Sequence, residues 1–285
     1  MGSRANYVTT QKCAAGGSDA VADLHLRQMS QRYFVHLAYR GTHYRGWQRQ
    51  SGEVPTVQAT VEAALSRVQG HPVKAVGCGR TDAGVHASDY YLHFDTEGEL
   101  RDDWLFVLNK VLPDDIVFYR AWPVDSGAHV RYDATSRTYD YYFHTRADPF
   151  LAPVSSYLDL PDLDTWAIEM ALRPLTGQYD FRAFCLTPDR HNTTTCDLRE
   201  ASLHEEGEGR YRFRFVADRF LRGMIRILVY QLLRVGKGEI PPDELEVALE
   251  SGERISVGQA APEGLFLSRV EGLEGGGPAD TGPTI

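Results

Sequence analysis

Apolar and polar positions along this chain follow two periods, and the switches between them mark out its elements. Tyr33 to Tyr39 reads at period two, as a half-buried strand. Thr56 then precedes Val57, Val61, Leu65 and Val68, which share one helical face. Thr56 is placed to cap that helix and Gly70 to end it. Val73 to Val76 and Tyr90 to Phe94 read as strands, and Trp104 to Leu112 carries a helical pattern up to Pro113. Ile116 to Trp122 and Thr138 to His144 are again strand-like. The order then recurs: a helix near Asp164 to Leu172 and strands at Leu198 to Leu203 and Tyr211 to Val216. A helix from Phe220 to Val235, a short helix from Asp243 to Leu249 and a strand at Leu265 to Val270 follow.

Strands with crossing helices, twice over, predict an α+β architecture. Two ferredoxin-like halves would form a continuous, mostly antiparallel sheet, with an active-site cleft between them. The expected division is an extension at 1–31, halves at 32–158 and 159–271, and a tail at 272–285. The hinge falls where Pro149, Pro153 and Pro161 cluster. Both tails lack apolar periodicity and are expected to be disordered, and Met29 is a candidate start of translation.

Composition narrows the class. With 42% hydrophobic and 24% charged residues in 285, the chain has the balance of a soluble globular protein. No apolar run is long enough to span a bilayer, and the first thirty residues lack a secretory pattern. Cys13, Cys78, Cys185 and Cys196 have no paired spacing, which fits a reduced, cytosolic protein without a zinc site. The net charge of -9 argues against indiscriminate nucleic-acid binding. Its distribution changes that picture. Arg40, His43, Arg45 and Arg49 interleave with Tyr44 and Trp47 without an acid. Six arginines stand between Arg210 and Arg226 beside one acid, Asp218.

The densest chemistry lies in Gly77-Cys78-Gly79-Arg80-Thr81-Asp82-Ala83-Gly84-Val85-His86-Ala87. Three glycines in eight positions read as a loop, and it displays one carboxylate, Asp82, two residues after an arginine. Gly79-x4-Gly84 has the span of a phosphate loop, but Val85-His86 stand where Lys and Ser/Thr are needed. Its third glycine comes too late for a dinucleotide fingerprint. In Arg210 to Phe215, period-two alternation turns aromatics inward and arginines outward. Arg219, Arg222 and Arg226, spaced for one helix face, suit phosphates or a carboxylate. A carboxylate, arginines and exposed aromatics around a cleft are what RNA chemistry uses.

At these motifs the chain resembles the TruA-type tRNA pseudouridine synthases. Gly79 to Ala87 is similar to their signature loop, and Tyr44-Arg45-Gly46-Trp47-Gln48-Arg49-Gln50 to an N-terminal motif. His129-Val130-Arg131 with Ala134 to Tyr139, Phe220 to Arg226, and Glu263 to Leu267 resemble three more, in order, from about Arg32 to Val270. Departures are Val130 for an alanine and Tyr230 for a frequent glycine. The resemblance implies isomerisation of uridine to pseudouridine at positions 38 to 40 of the tRNA anticodon stem-loop, by a homodimer, without cofactor or metal. It places the catalytic aspartate at Asp82, which would act at the sugar by attack at C1′ or through a glycal-like route. It makes Arg222 the ion-pair partner of Asp82 and Tyr139 the residue that holds the base. It gives Arg80 to the flipped nucleotide, with Arg45, Arg131 and Arg226 as further RNA contacts. A non-catalytic RNA-binding module is the competing reading, and a binding site has no need of a carboxylate among phosphates.

Overall fold

The computed structural model describes residues 30–256 and 258–273; Met29 and most of the two expected tails lie outside them. The first half runs β1 (Ser30–Tyr39), α1 (Val57–Gln69), β2 (Ala75–Gly77), β3 (His86–Glu97), α2 (Trp104–Val111) and β4 (Ile116–Val124). The second runs β5 (Ser136–His144), β6 (Ser156–Tyr157), α3 (Thr165–Leu172), β7 (Gly177–Asp180), β8 (Thr195–Gly207), β9 (Arg210–Ala217), α4 (Met224–Gly236), α5 (Glu244–Ser251) and β10 (Leu265–Glu271). All ten strands form one sheet in the order β4-β1-β3-β10-β5-β9-β8-β7, with β2 on β3 and β6 on β5. Pairing is antiparallel except at β10 with β3 and β5 with β6. The mostly antiparallel sheet is thus as expected.

Local signals account for the regular elements. In α1 the Thr56 hydroxyl accepts from Ala59 N–H at 3.3 Å, and Gly70 leaves the helix at φ 77°. Val57, Val61 and Leu65 are fully buried in the first core. A second core gathers Phe213, Phe215 and the apolar face of α4.

Two departures bear on the site. The helix expected from Phe220 begins only at Met224, because Gly223 takes up φ 74° and its place is filled by the Leu186 side chain. Arg219 and Arg222 therefore precede α4, and only Arg226 of the three is helical. The second departure is non-local. β5 precedes the boundary expected at 158, yet its neighbours are β10 and β9, and its Tyr141 and Phe143 enter the second core. β10 returns from the far end of the chain and joins the halves, pairing Phe266 with His86 and Leu267 with Ala87. Tyr139, on β5, packs against both cores and so sits at the seam. Tyr230 finds its room opposite Gly258, where a Cβ would lie 2.2 Å from its ring.

Candidate active site

The glycine loop between β2 and β3 is held from several sides. Tyr90 donates its hydroxyl to Gly79 O at 2.5 Å, and the Tyr39 hydroxyl bonds Thr81 Oγ1 at 2.8 Å. Trp47 N–H donates to Thr81 O, and Gly84 N–H to Tyr44 O. The Tyr44 to Trp47 segment can lie this close because of Gly46. Its φ is +88°, and a Cβ there would stand 2.4 Å from Thr81 O. Gly84, at φ +78°, meets the Pro262 ring in the same way. Two motifs far apart in sequence are thereby locked backbone to backbone.

Asp82 stands at the tip of this rigid loop. Among the described residues its carboxylate receives no protein hydrogen bond, and its side chain is 35% exposed. The facing cation is Arg226, whose Nη1 lies 3.8 Å away. This corrects the expected pairing with Arg222. Gly223 ends the approach to the helix, which leaves Arg222 exposed one turn away while Arg226 points inward. Arg226 is fixed in turn: its Nε donates to Ala260 O at 2.7 Å, and Ala260 N–H donates to Arg226 O. The segment from Ala260 to Glu263 is therefore a splint, bonding Arg226 at one end and touching Gly84 at the other.

Tyr139 faces the same carboxylate. Burial, above all, raises its phenol pKa, and Cys78 and Asp82 add to the effect, so the hydroxyl keeps its proton at neutral pH. Its ring meets Phe220 edge-on at 5.1 Å. Among the described residues the hydroxyl has no hydrogen-bond partner, which leaves a donor free in the cleft.

The arginines divide by their partners. Arg32, Arg49, Arg101, Arg146 and Arg234 each hold a carboxylate. Arg40, Arg45, Arg80, Arg131 and Arg222 are exposed and, among the described residues, have no acidic partner. All five belong to segments that pack around the Asp82 loop, while Arg67, Arg173, Arg190, Arg210 and Arg254, also exposed and without an acidic partner among the described residues, lie elsewhere on the surface. The β9 arginines behave differently. The inward aromatics are as expected, but Arg212 and Arg214 clamp the buried Asp140 at 3.1 and 2.8 Å, which spends their charge within the sheet.

Two residues central to this geometry carry no role in the sequence reading. Arg137 donates to Ala134 O, Asp218 O and Arg131 O at 2.9 Å each, and to Cys78 O at 3.4 Å. One guanidinium thus ties the start of the catalytic loop to the turn before β5 and to the segment before α4. Its place in the Ala134 to Tyr139 motif was the available signal; its burial was not visible.

The second is His86. Its Nδ1 accepts from Gly41 N–H at 3.0 Å, so Nε2 carries the proton and donates to Glu263 O at 3.1 Å. Burial lowers its pKa to about 4, against the opposing effect of Glu263 O, with Arg40 lowering it further. His93 is also lowered to about 4, again chiefly by burial. Both rings are neutral when folded and protonate near 6.5 when unfolded. The unfolded chain then binds more protons, so stability is lost as pH falls from about 6.5 toward about 4. Denaturant midpoints should fall between about pH 7.5 and about pH 5 by the equivalent of about 2 kcal/mol per ring. A stability flat over that range contradicts the neutral assignment.

Among the described residues, no group of three or more His, Cys, Asp or Glu could hold a metal ion, and no helix is long and apolar enough to cross a membrane. A family model described as tRNA pseudouridine synthase matches residues 36–133 and 171–271. The chain is 41% identical over 244 residues to tRNA pseudouridine synthase A of Parabacteroides distasonis, covering 84% of this chain and 95% of that one. The same-named protein of Porphyromonas gingivalis is 40% identical, over 84% and 96%. That of Nostoc sp. is 34% identical over 252 residues, 87% of this chain and 89% of its own. With the matched residues including the loop that displays Asp82 and the helix that supplies Arg226, this chain belongs to the tRNA pseudouridine synthase family, whose members are isomerases.

Proposed function

We propose that this protein converts uridine to pseudouridine at positions 38 to 40 of the tRNA anticodon stem-loop, with Asp82 as the catalytic carboxylate. The observation that carries this reading is the isolated Asp82 carboxylate. It lies on a braced loop, without a protein hydrogen bond among the described residues, between the fixed Arg226 and the Tyr139 hydroxyl, which has no partner among them.

The reaction breaks the bond between C1′ and N1, turns the uracil and rejoins it through C5, which gives up its proton while N1 takes one, so the product is an isomer of the substrate. The target must first leave its stack, at a cost of a few kcal/mol. Arg40, Arg45, Arg80, Arg131 and Arg222 take the phosphates around it, and Arg80 reaches the flipped nucleotide from the catalytic loop itself. Asp82 addresses the sugar, whether by bonding to C1′ or by taking a proton from C2′. Both routes place a carboxylate oxygen against the ribose. Tyr139 donates its hydroxyl to the base and keeps the detached uracil from leaving. Arg226 pairs with Asp82 and keeps it ionised, the role that sequence reasoning gave to Arg222. The protein works in the cytoplasm as a homodimer. Each copy then adds one small basic patch to a surface long enough for tRNA, which suits a chain of net charge -9.

The test is an in vitro reaction on unmodified tRNA transcripts carrying uridine at positions 38, 39 or 40, with pseudouridine mapped at nucleotide resolution. Conversion at those positions is expected. Conversion confined to other nucleotides overturns the specificity, and binding without conversion favours the non-catalytic module.

A further inference from the structure

Three rings rise from the sheet to the surface beside the catalytic loop. His93, on β3, is 4% exposed, and its Nδ1 accepts from Val130 N–H. The His129 ring crosses it edge-on at 4.7 Å. Tyr132 lies over His129 at 4.3 Å with the planes 32° apart, yet is 76% exposed. The backbone beneath them is a tight turn. His129 O accepts from Tyr132 N–H and Asp133 N–H, Asp133 Oδ2 accepts from His129 N–H, and His129 Nδ1 from Arg131 N–H.

A surface tyrosine is ordinarily free to change rotamer. This one is backed by two imidazoles, the lower of them buried. Phe150 and Trp166 are comparably exposed at 89% and 67%, but neither has a stacked ring among the described residues. Tyr132 is therefore a pre-ordered aromatic face, which loses little conformational entropy when a flat ligand covers it.

Position gives the face its ligand. Arg137 Nη2 holds both Arg131 O and Cys78 O, so the turn carrying Tyr132 is fastened to the base of the Asp82 loop. Arg131, the preceding residue, is exposed and has no acidic partner among the described residues. An anion site and a stacking face on consecutive residues match the phosphate and base of one nucleotide.

Resting on the reading that the substrate is tRNA, we propose that Tyr132, lying over His129, is a platform for a nucleobase flanking the target uridine, with Arg131 on that nucleotide's phosphate. The platform serves binding and takes no part in the bond that breaks.

Equilibrium binding of an unmodified tRNA transcript, with single-turnover pseudouridine formation at saturating tRNA, separates these roles. Tyr132→Ala is expected to raise Kd roughly 5- to 100-fold, with the saturated rate and thermal unfolding unchanged. Tyr132→Phe should bind within about twofold of wild type, and Tyr132→Leu should resemble the alanine variant, because stacking needs a π-face. The ligand is fixed by anticodon stem-loops carrying single abasic nucleotides. One flanking position should weaken wild-type binding and have no further effect on Tyr132→Ala. The platform is overturned if Tyr132→Ala or Tyr132→Leu leaves the wild-type Kd, or if the abasic penalty persists without the ring. A wild-type protein that neither binds nor modifies tRNA overturns this proposal and the functional reading together. Normal turnover with an unchanged Kd for Tyr132→Ala overturns the platform alone.

Discussion

Asp82→Asn is expected to lower pseudouridine formation about 10³-fold or more, while tRNA affinity stays within about threefold of wild type. The substitution keeps the shape of the side chain and removes only its capacity to bond to carbon or accept a proton. Little in the fold depends on that charge. Among the described residues the carboxylate receives no protein hydrogen bond, and its one ionic contact is Arg226 at 3.8 Å. Arg226 itself stays anchored through Ala260 O. The backbone of Asp82, which accepts from Val85 N–H, is untouched. Thermal unfolding should therefore match wild type, and a gel shift should show the RNA still bound. Wild-type rates from the asparagine variant would remove Asp82 from the chemistry.

Arg137→Met should reduce both stability and turnover, for a reason separable from binding. Methionine fills the space of the alkyl stem but leaves four carbonyls without their common donor. Hydrogen bonds to a charged group contribute about 1.5–3 kcal/mol each, and water can replace part of that at the outer carbonyls. A net loss of about 2–4 kcal/mol in unfolding free energy is expected from denaturant titration. The saturated rate should also fall about 10²-fold, because displacing the Cys78 end of the loop misplaces Asp82. KM should change less, since the Arg137 guanidinium is taken up by four backbone carbonyls. Arg137→Lys, which keeps a cation with three donors, should recover part of both losses. An Arg137→Met enzyme with weakened affinity and an intact saturated rate would instead make Arg137 an RNA contact.

Most regular elements were legible because their signals are local. The Thr56 cap, the Val57-Val61-Leu65 stripe and the Gly70 stop lie within fifteen residues of each other, and α1 follows them. β3 is longer than the expected Tyr90 to Phe94, since pairing with β1 carries it from Ala87 to Glu97 and its first two residues also pair with β10; no local pattern announces a parallel partner so far along the chain. The arginine face on α4 failed for a smaller reason. A helical wheel drawn through Gly223 assumes that the helix continues, and a glycine at φ 74° resets the geometry within one residue. The β9 alternation was right for the aromatics and blind to Asp140, which captures Arg212 and Arg214 from the neighbouring strand.

The sequence by itself determined that Asp82 is displayed on a glycine-rich loop, that free arginines and aromatics crowd the motifs around it, and which family the motifs resemble. These are properties of composition and spacing, and spacing survives unfolding. Only the tertiary structure decided which cation meets Asp82. Arg222 and Arg226 look alike on paper, and the choice between them depends on where Gly223 ends the loop and where Ala260 anchors a guanidinium. Tertiary structure also assigned Arg137 and His86 their work, because each joins backbone groups that are distant along the chain. A hydrogen bond between such groups depends on three-dimensional position, which residue order alone does not specify.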